Sequence, residues 1–145
     1  MTKKLFLSFL ILLCSCSKNS PIDETVDYET INYPESFIEW NDLLTLDYEN
    51  YFVYVFSYDC YYCNQLKRKV VCFYEYSRFP VYFCEYSKSI PIGHNIESTV
   101  GAIDIENVFI QGTPTLILIS EKSIAFNVAG KGEVSEMINL HLKNE

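Results

Sequence analysis

Basic residues are scarce in this chain: 11 Lys and Arg stand against 19 Asp and Glu, for a formal net charge of −8. Phosphate-backbone binding needs clustered Lys and Arg, so the charge balance argues against a nucleic-acid partner. The one dense basic run, Lys67-Arg68-Lys69, is short and reads as a solvated helix face. Histidine is scarcer still. His94 and His141 lack ligand spacing, and no second C-x-x-C accompanies Cys60 and Cys63 to complete a four-ligand zinc site. No metal site is expected and no cofactor is implied. There is no internal repeat. The apolar run from Leu5 to Leu13, broken by Ser8, is shorter than the roughly 20 residues that a membrane-spanning helix needs.

What is present is aromatic and apolar. Hydrophobic residues make up 49% of the 145, with 12 Tyr and 10 Phe, enough for the core of one domain. Lys3 and Lys4 followed by Leu5 to Leu13 have the form of a signal-peptide n-region and h-region. Leu13, Cys14, Ser15 and Cys16 then resemble the bacterial lipobox. That resemblance implies cleavage before Cys16 and diacylglycerol on its sulfur. Two acyl chains anchor stably where one does not. The expected place is the extracytoplasmic face of a bacterial cell membrane, where disulfides persist. The chain divides into a signal peptide (1–15), a lipidated N-terminus and flexible tether (16–27), and one folded domain (28–145).

Along the domain, Tyr28 to Asn32 suits a first strand. Pro34-Glu35-Ser36 opens a helix to about Leu46, with Phe37, Trp40, Leu43 and Leu44 at helical spacing. Tyr51 to Ser57 is a buried central strand that runs into Cys60. Leu66, Val70 and Phe73 mark a helix after it. Pro80 to Tyr86 is a strand, Ser87 to Gly93 a loop, and residues 94–109 are helical or irregular. Thr115 to Ser120 and Ser123 to Val128 pair across Glu121-Lys122. Val134, Met137, Ile138 and Leu142 line a last helix. Alternation followed by a hairpin predicts an α/β domain, a mixed central sheet with helices on both faces.

The chemistry centres on C-x-x-C. A cysteine where a buried strand meets a helix sits at the helix N-terminus, where free N–H groups and the dipole favour a thiolate. Cys60 is therefore the expected nucleophile, and Cys63, one turn on, the resolving thiol. Three segments in order carry a resemblance to the thioredoxin family: YFVYVFSYDCYYCNQL, Gly112-Thr113-Pro114-Thr115-Leu116, and Val128-Ala129-Gly130. The resemblance covers the whole domain and implies a thioredoxin-like fold with a cis Thr113-Pro114 bond. It also implies substrate contact at Thr113 and Pro114, to which Tyr61 and Tyr62 between the cysteines are added. The chain departs from the family at four positions. Asp59 stands where the family usually has Trp, Tyr61-Tyr62 where it has Gly-Pro, and Tyr54 where thioredoxins carry a buried aspartate. With no aspartate at that position, water or Glu85 is left to move the proton.

The function implied is thiol–disulfide exchange on exported proteins or peptides, with an unidentified redox partner. Small thioredoxin-like accessory factors of peptide exporters, such as bacteriocin transport accessory proteins, are similar in length and motif layout. A binding module with a structural disulfide is a third possibility. Cys72 and Cys84 are either a second disulfide or two buried thiols.

Overall fold

The computed structural model describes residues 34–143. The expected leader, the lipidated Cys16, the tether and the strand at Tyr28 to Asn32 lie outside them. Four strands form one sheet of order β2-β1-β3-β4: β1 (Asn50–Phe56), β2 (Val81–Glu85), β3 (Thr115–Ser120) and β4 (Ser123–Ala129). β1 and β2 are parallel, while β3 is antiparallel to both β1 and β4. The α-helices are α1 (Tyr61–Tyr76) and α2 (Lys131–His141). These match the sequence reading within a residue or two at most ends.

β1 is buried on both faces, as a central strand must be. Phe52, Tyr54 and Phe56 point into one core with Cys63, Leu66, Val70 and Phe73 of α1 and Val134 and Ile138 of α2. Tyr51, Val53 and Val55 point into a second core on the other side of the sheet. In β4 a bulge opposite Leu118 and Ile119 breaks the two-residue alternation. Ile124 thereby faces the second core while Phe126 and Val128 face the first. The β3–β4 turn holds Glu121 and Lys122 at φ 49° and 61°, the left-handed geometry of a two-residue hairpin.

Both α-helices cover the first core. The second face is flanked by 3-10 turns and loops, which supply Trp40, Leu43, Leu44, Ile90, Val108 and Ile110. The helix expected from Pro34 to about Leu46 is therefore corrected to two 3-10 turns, Pro34–Ser36 and Trp40–Asp42. Between them Phe37 bridges Phe83, and the Ile38 N–H bonds the Phe83 carbonyl at 2.9 Å. The free edge of β2 offers backbone partners there, and the extended chain takes them in place of helical bonds. In the 94–109 stretch the helical parts are the 3-10 turns Ile96–Thr99 and Ile105–Asn107.

The far end of the sheet carries a titrating group. His141 lies edge-on to Phe52, with ring centroids 5.1 Å apart, and 5.8 Å from Phe126. Burial, then Arg78, pushes its pKa below 6.5. The unfolded chain thus binds the proton more readily. Stability is full above about pH 6.5 and falls as pH drops through the folded-state value. We expect His141→Phe to flatten the decline in urea midpoint as pH falls below about 6.5. An unchanged slope would assign the acid sensitivity elsewhere.

Candidate redox centre

β1 ends at Phe56, and Ser57 to Asp59 turn the chain into α1. The turn is closed by the Cys60 N–H on the Ser57 carbonyl at 3.1 Å. Cys60 is the N-cap of α1, in extended geometry at φ −80° and ψ 113°. Its Sγ accepts the Cys63 N–H at 3.1 Å, the place a Ser or Asp oxygen takes at an ordinary cap. Cys60 and Cys63 are joined as a disulfide, their Cα atoms 5.1 Å apart. Cys60 is half-buried, while Cys63 is 0% exposed and packed in the first core. On reduction the same N–H and the helix N-terminus would face a Cys60 thiolate, a charge-assisted contact.

Thr113-Pro114 is cis, as the motif resemblance implied. The loop is held by the Thr115 hydroxyl on the Gly112 carbonyl at 2.6 Å and by the Gly130 N–H on the Pro114 carbonyl at 2.9 Å. Val55 pairs with Thr115, and Thr115 with Ala129. This register places the Cys60 turn, the Thr113-Pro114 loop and the start of α2 at one end of the sheet. Gly130, at φ 94°, makes the turn into α2. The Lys131 ammonium then reaches Gln65 Oε1 and ties α2 to α1. Thr115, Gly130 and Lys131 were not singled out by their chemistry. Their part is to hold backbone, and only the spacing of Val128-Ala129-Gly130 hinted at it.

The tyrosines of the motif are on the surface. Tyr58 is 40% exposed, Tyr61 69% and Tyr62 53%. The Tyr61 and Tyr62 rings meet edge to face at 5.4 Å, and Tyr58 leans on Phe56 at 5.2 Å. Tyr54, at the position of the family's aspartate, is fully buried among aromatic rings, 6.1 Å from Phe56 and 6.2 Å from Phe83. Glu85, paired in register with Phe56, is exposed at the end of β2. It is a solvated strand-end carboxylate.

Cys72 and Cys84 do not bond to each other, which corrects the disulfide alternative, and the buried-thiol alternative holds for Cys84 alone, since Cys72 is itself disulfide-bonded. Cys84 is a free, buried thiol. Alternation along β2 turns it into the second core, whereas α1, which carries Cys72, packs on the first. The sheet lies between them, and a disulfide needs Cα atoms within about 7 Å. Burial, then Glu39 and Glu85, pushes the Cys84 pKa up to about 12. It is a small apolar side chain in practice. Among the described residues no group of three or more His, Cys, Asp or Glu is placed to hold a metal ion.

The sheet order, the C-x-x-C disulfide at the start of the first α-helix and the cis-proline leading into the third strand make this a thioredoxin-like fold with a dithiol–disulfide centre. No protein-family model and no curated protein sequence matches the chain. Among solved structures it is similar to thioredoxin f2 of Chlamydomonas reinhardtii, with 14% identity and a TM-score of 0.49 over 72% of this chain and 90% of that one. It is also similar to a mutant thioredoxin from Halobacterium salinarum, with 15% identity and a TM-score of 0.42 over 75% and 91%.

Proposed function

We propose that the protein is a thiol–disulfide oxidoreductase that acts on exported proteins, held at the extracytoplasmic face of a bacterial membrane by lipid on Cys16. The observation that carries the redox reading is the asymmetry of the pair. Cys60 is reachable at a helix N-terminus, and Cys63 is sealed one turn behind it. The lipobox-like run ending at Cys16 supports the anchoring.

In the reductive direction, the Cys60 thiolate attacks one sulfur of a client disulfide. The client's other sulfur leaves as a thiolate and takes a proton from water. Cys63, losing its proton to water, attacks Cys60 Sγ and expels the second client thiol. The client is reduced by two electrons, and the pair ends as the Cys60–Cys63 disulfide. The oxidative direction is the reverse.

The test is the reduction potential of the pair in the full-length protein, equilibrated against glutathione or dithiothreitol and read by peptide mass mapping. A value of about −120 to −180 mV makes the protein a disulfide donor, and one of about −270 mV a reductant that needs an electron supply. A value below about −300 mV with no exchange activity would overturn the enzyme reading in favour of a structural disulfide.

A further inference from the structure

Among the described residues, charged groups of both signs gather at this end of the sheet, exposed Glu133 in the first turn of α2 among them. Asp59 is exposed and adjoins Cys60. Glu85 is exposed at the end of β2, and Glu39 is exposed near enough to act, with Glu85, on Cys84. Two cations oppose them at this end of the sheet. Lys131 has its ammonium on Gln65, and Lys88 is exposed three residues past β2. The run Lys67-Arg68-Lys69 begins seven residues along α1 from Cys60, about 10 Å at helical rise, and Lys69 bonds the Ser135 hydroxyl. Set among these charges are the exposed rings of Tyr58, Tyr61 and Tyr62. Aromatic faces attract cations, and an acidic rim adds to that attraction.

We infer that the surface around Cys60 selects polypeptides with Lys or Arg beside the reacting cysteine, with Tyr61 and Tyr62 as the aromatic ledge and Asp59 as the anion. This specificity rests on the oxidoreductase reading. The Tyr rings bring apolar area to an extended chain at little entropic cost, and the net charge of −8 draws a basic client in. An acidic client meets repulsion at both levels.

The experiment uses the full-length reduced protein and three peptides with one internal disulfide, alike except for flanking Lys, Gln or Glu. The Lys peptide should be reduced about tenfold faster than the Glu peptide at low ionic strength, with Gln between them. The ratio should shrink toward one at about 1 M salt, where screening reaches about 3 Å. Changing both Tyr61→Ser and Tyr62→Ser, or Asp59→Asn, should each lower the Lys-to-Glu ratio. Equal rates on the three peptides would overturn the inference. If none is reduced, calorimetry on Cys60→Ser with the same peptides decides. Tighter binding of the Lys peptide upholds the selectivity while the oxidoreductase reading fails, and equal binding sinks both.

Discussion

Cys60→Ser brings thiol–disulfide exchange down to the uncatalysed level, whereas Cys63→Ser keeps the first attack and stops the release. The difference follows from where the two sulfurs lie. Cys60 is half-buried at the N-cap of α1, with the Cys63 N–H on its sulfur. Cys63 is 0% exposed. A client sulfur reaches the first and not the second, and a serine hydroxyl cannot replace a thiolate in attack. With Cys63 gone, the mixed disulfide between Cys60 and the client has no neighbouring thiol to resolve it. The expected product is a covalent adduct of one client per chain, visible on a non-reducing gel and dispersed by dithiothreitol. Steady turnover by Cys63→Ser, or adducts formed by Cys60→Ser through Cys63, would reverse the assignment of roles.

The parts of this centre that could be read from the sequence are local ones. Tyr51 to Ser57 has the β-branched and aromatic content of a central strand, and Leu66, Val70 and Phe73 have a helical period. The C-x-x-C falls where one pattern gives way to the other. Thr113-Pro114 was legible because it sits in a run that recurs in one family. What failed depended on partners distant in the chain. Phe37, Trp40, Leu43 and Leu44 keep a helical spacing, yet Phe37 joins the first core and the other three the second. Such spacing satisfies a helix and also a chain that crosses the sheet edge, and only the free backbone of β2 decides between them. The fate of Cys84 was hidden for a similar reason. Its parity along β2, shared with Tyr82 and opposed to Phe83, is plain in the sequence, but the side of the sheet on which α1 packs is not. The tyrosines divide by position in the same way. Tyr54 points into the core from a strand, while Tyr61 and Tyr62 lie on the outer side of a helix's first turn.

Phe52→Ala should cost the fold about 3 to 5 kcal/mol. Phe52 is fully buried at the crowded end of the first core. Its ring meets Phe73 at 4.9 Å, His141 at 5.1 Å, Phe79 at 5.9 Å and Phe126 at 6.1 Å. These neighbours come from α1, α2, β4 and the turn before β2, so no single element can shift to fill the gap. The backbone is pinned as well, with Phe52 opposite Val81 on one side and Leu118 on the other. A domain of this size has about 5 to 15 kcal/mol in all, so the loss is a large share of it. The thermal midpoint should fall by roughly 10 to 20 °C. Urea unfolding of the two proteins measures the difference, and a loss under about 1 kcal/mol would mean that the cluster repacks. The same variant separates stability from chemistry. Phe52 lies four residues down β1 from Phe56, about 13 Å at strand rise, at the end away from Cys60. Exchange per folded molecule should therefore stay unchanged without denaturant, while the protein fails at lower temperature. A fall in exchange rate at full folded population would show that the far core governs the position of α1, and with it the sulfur at its N-terminus.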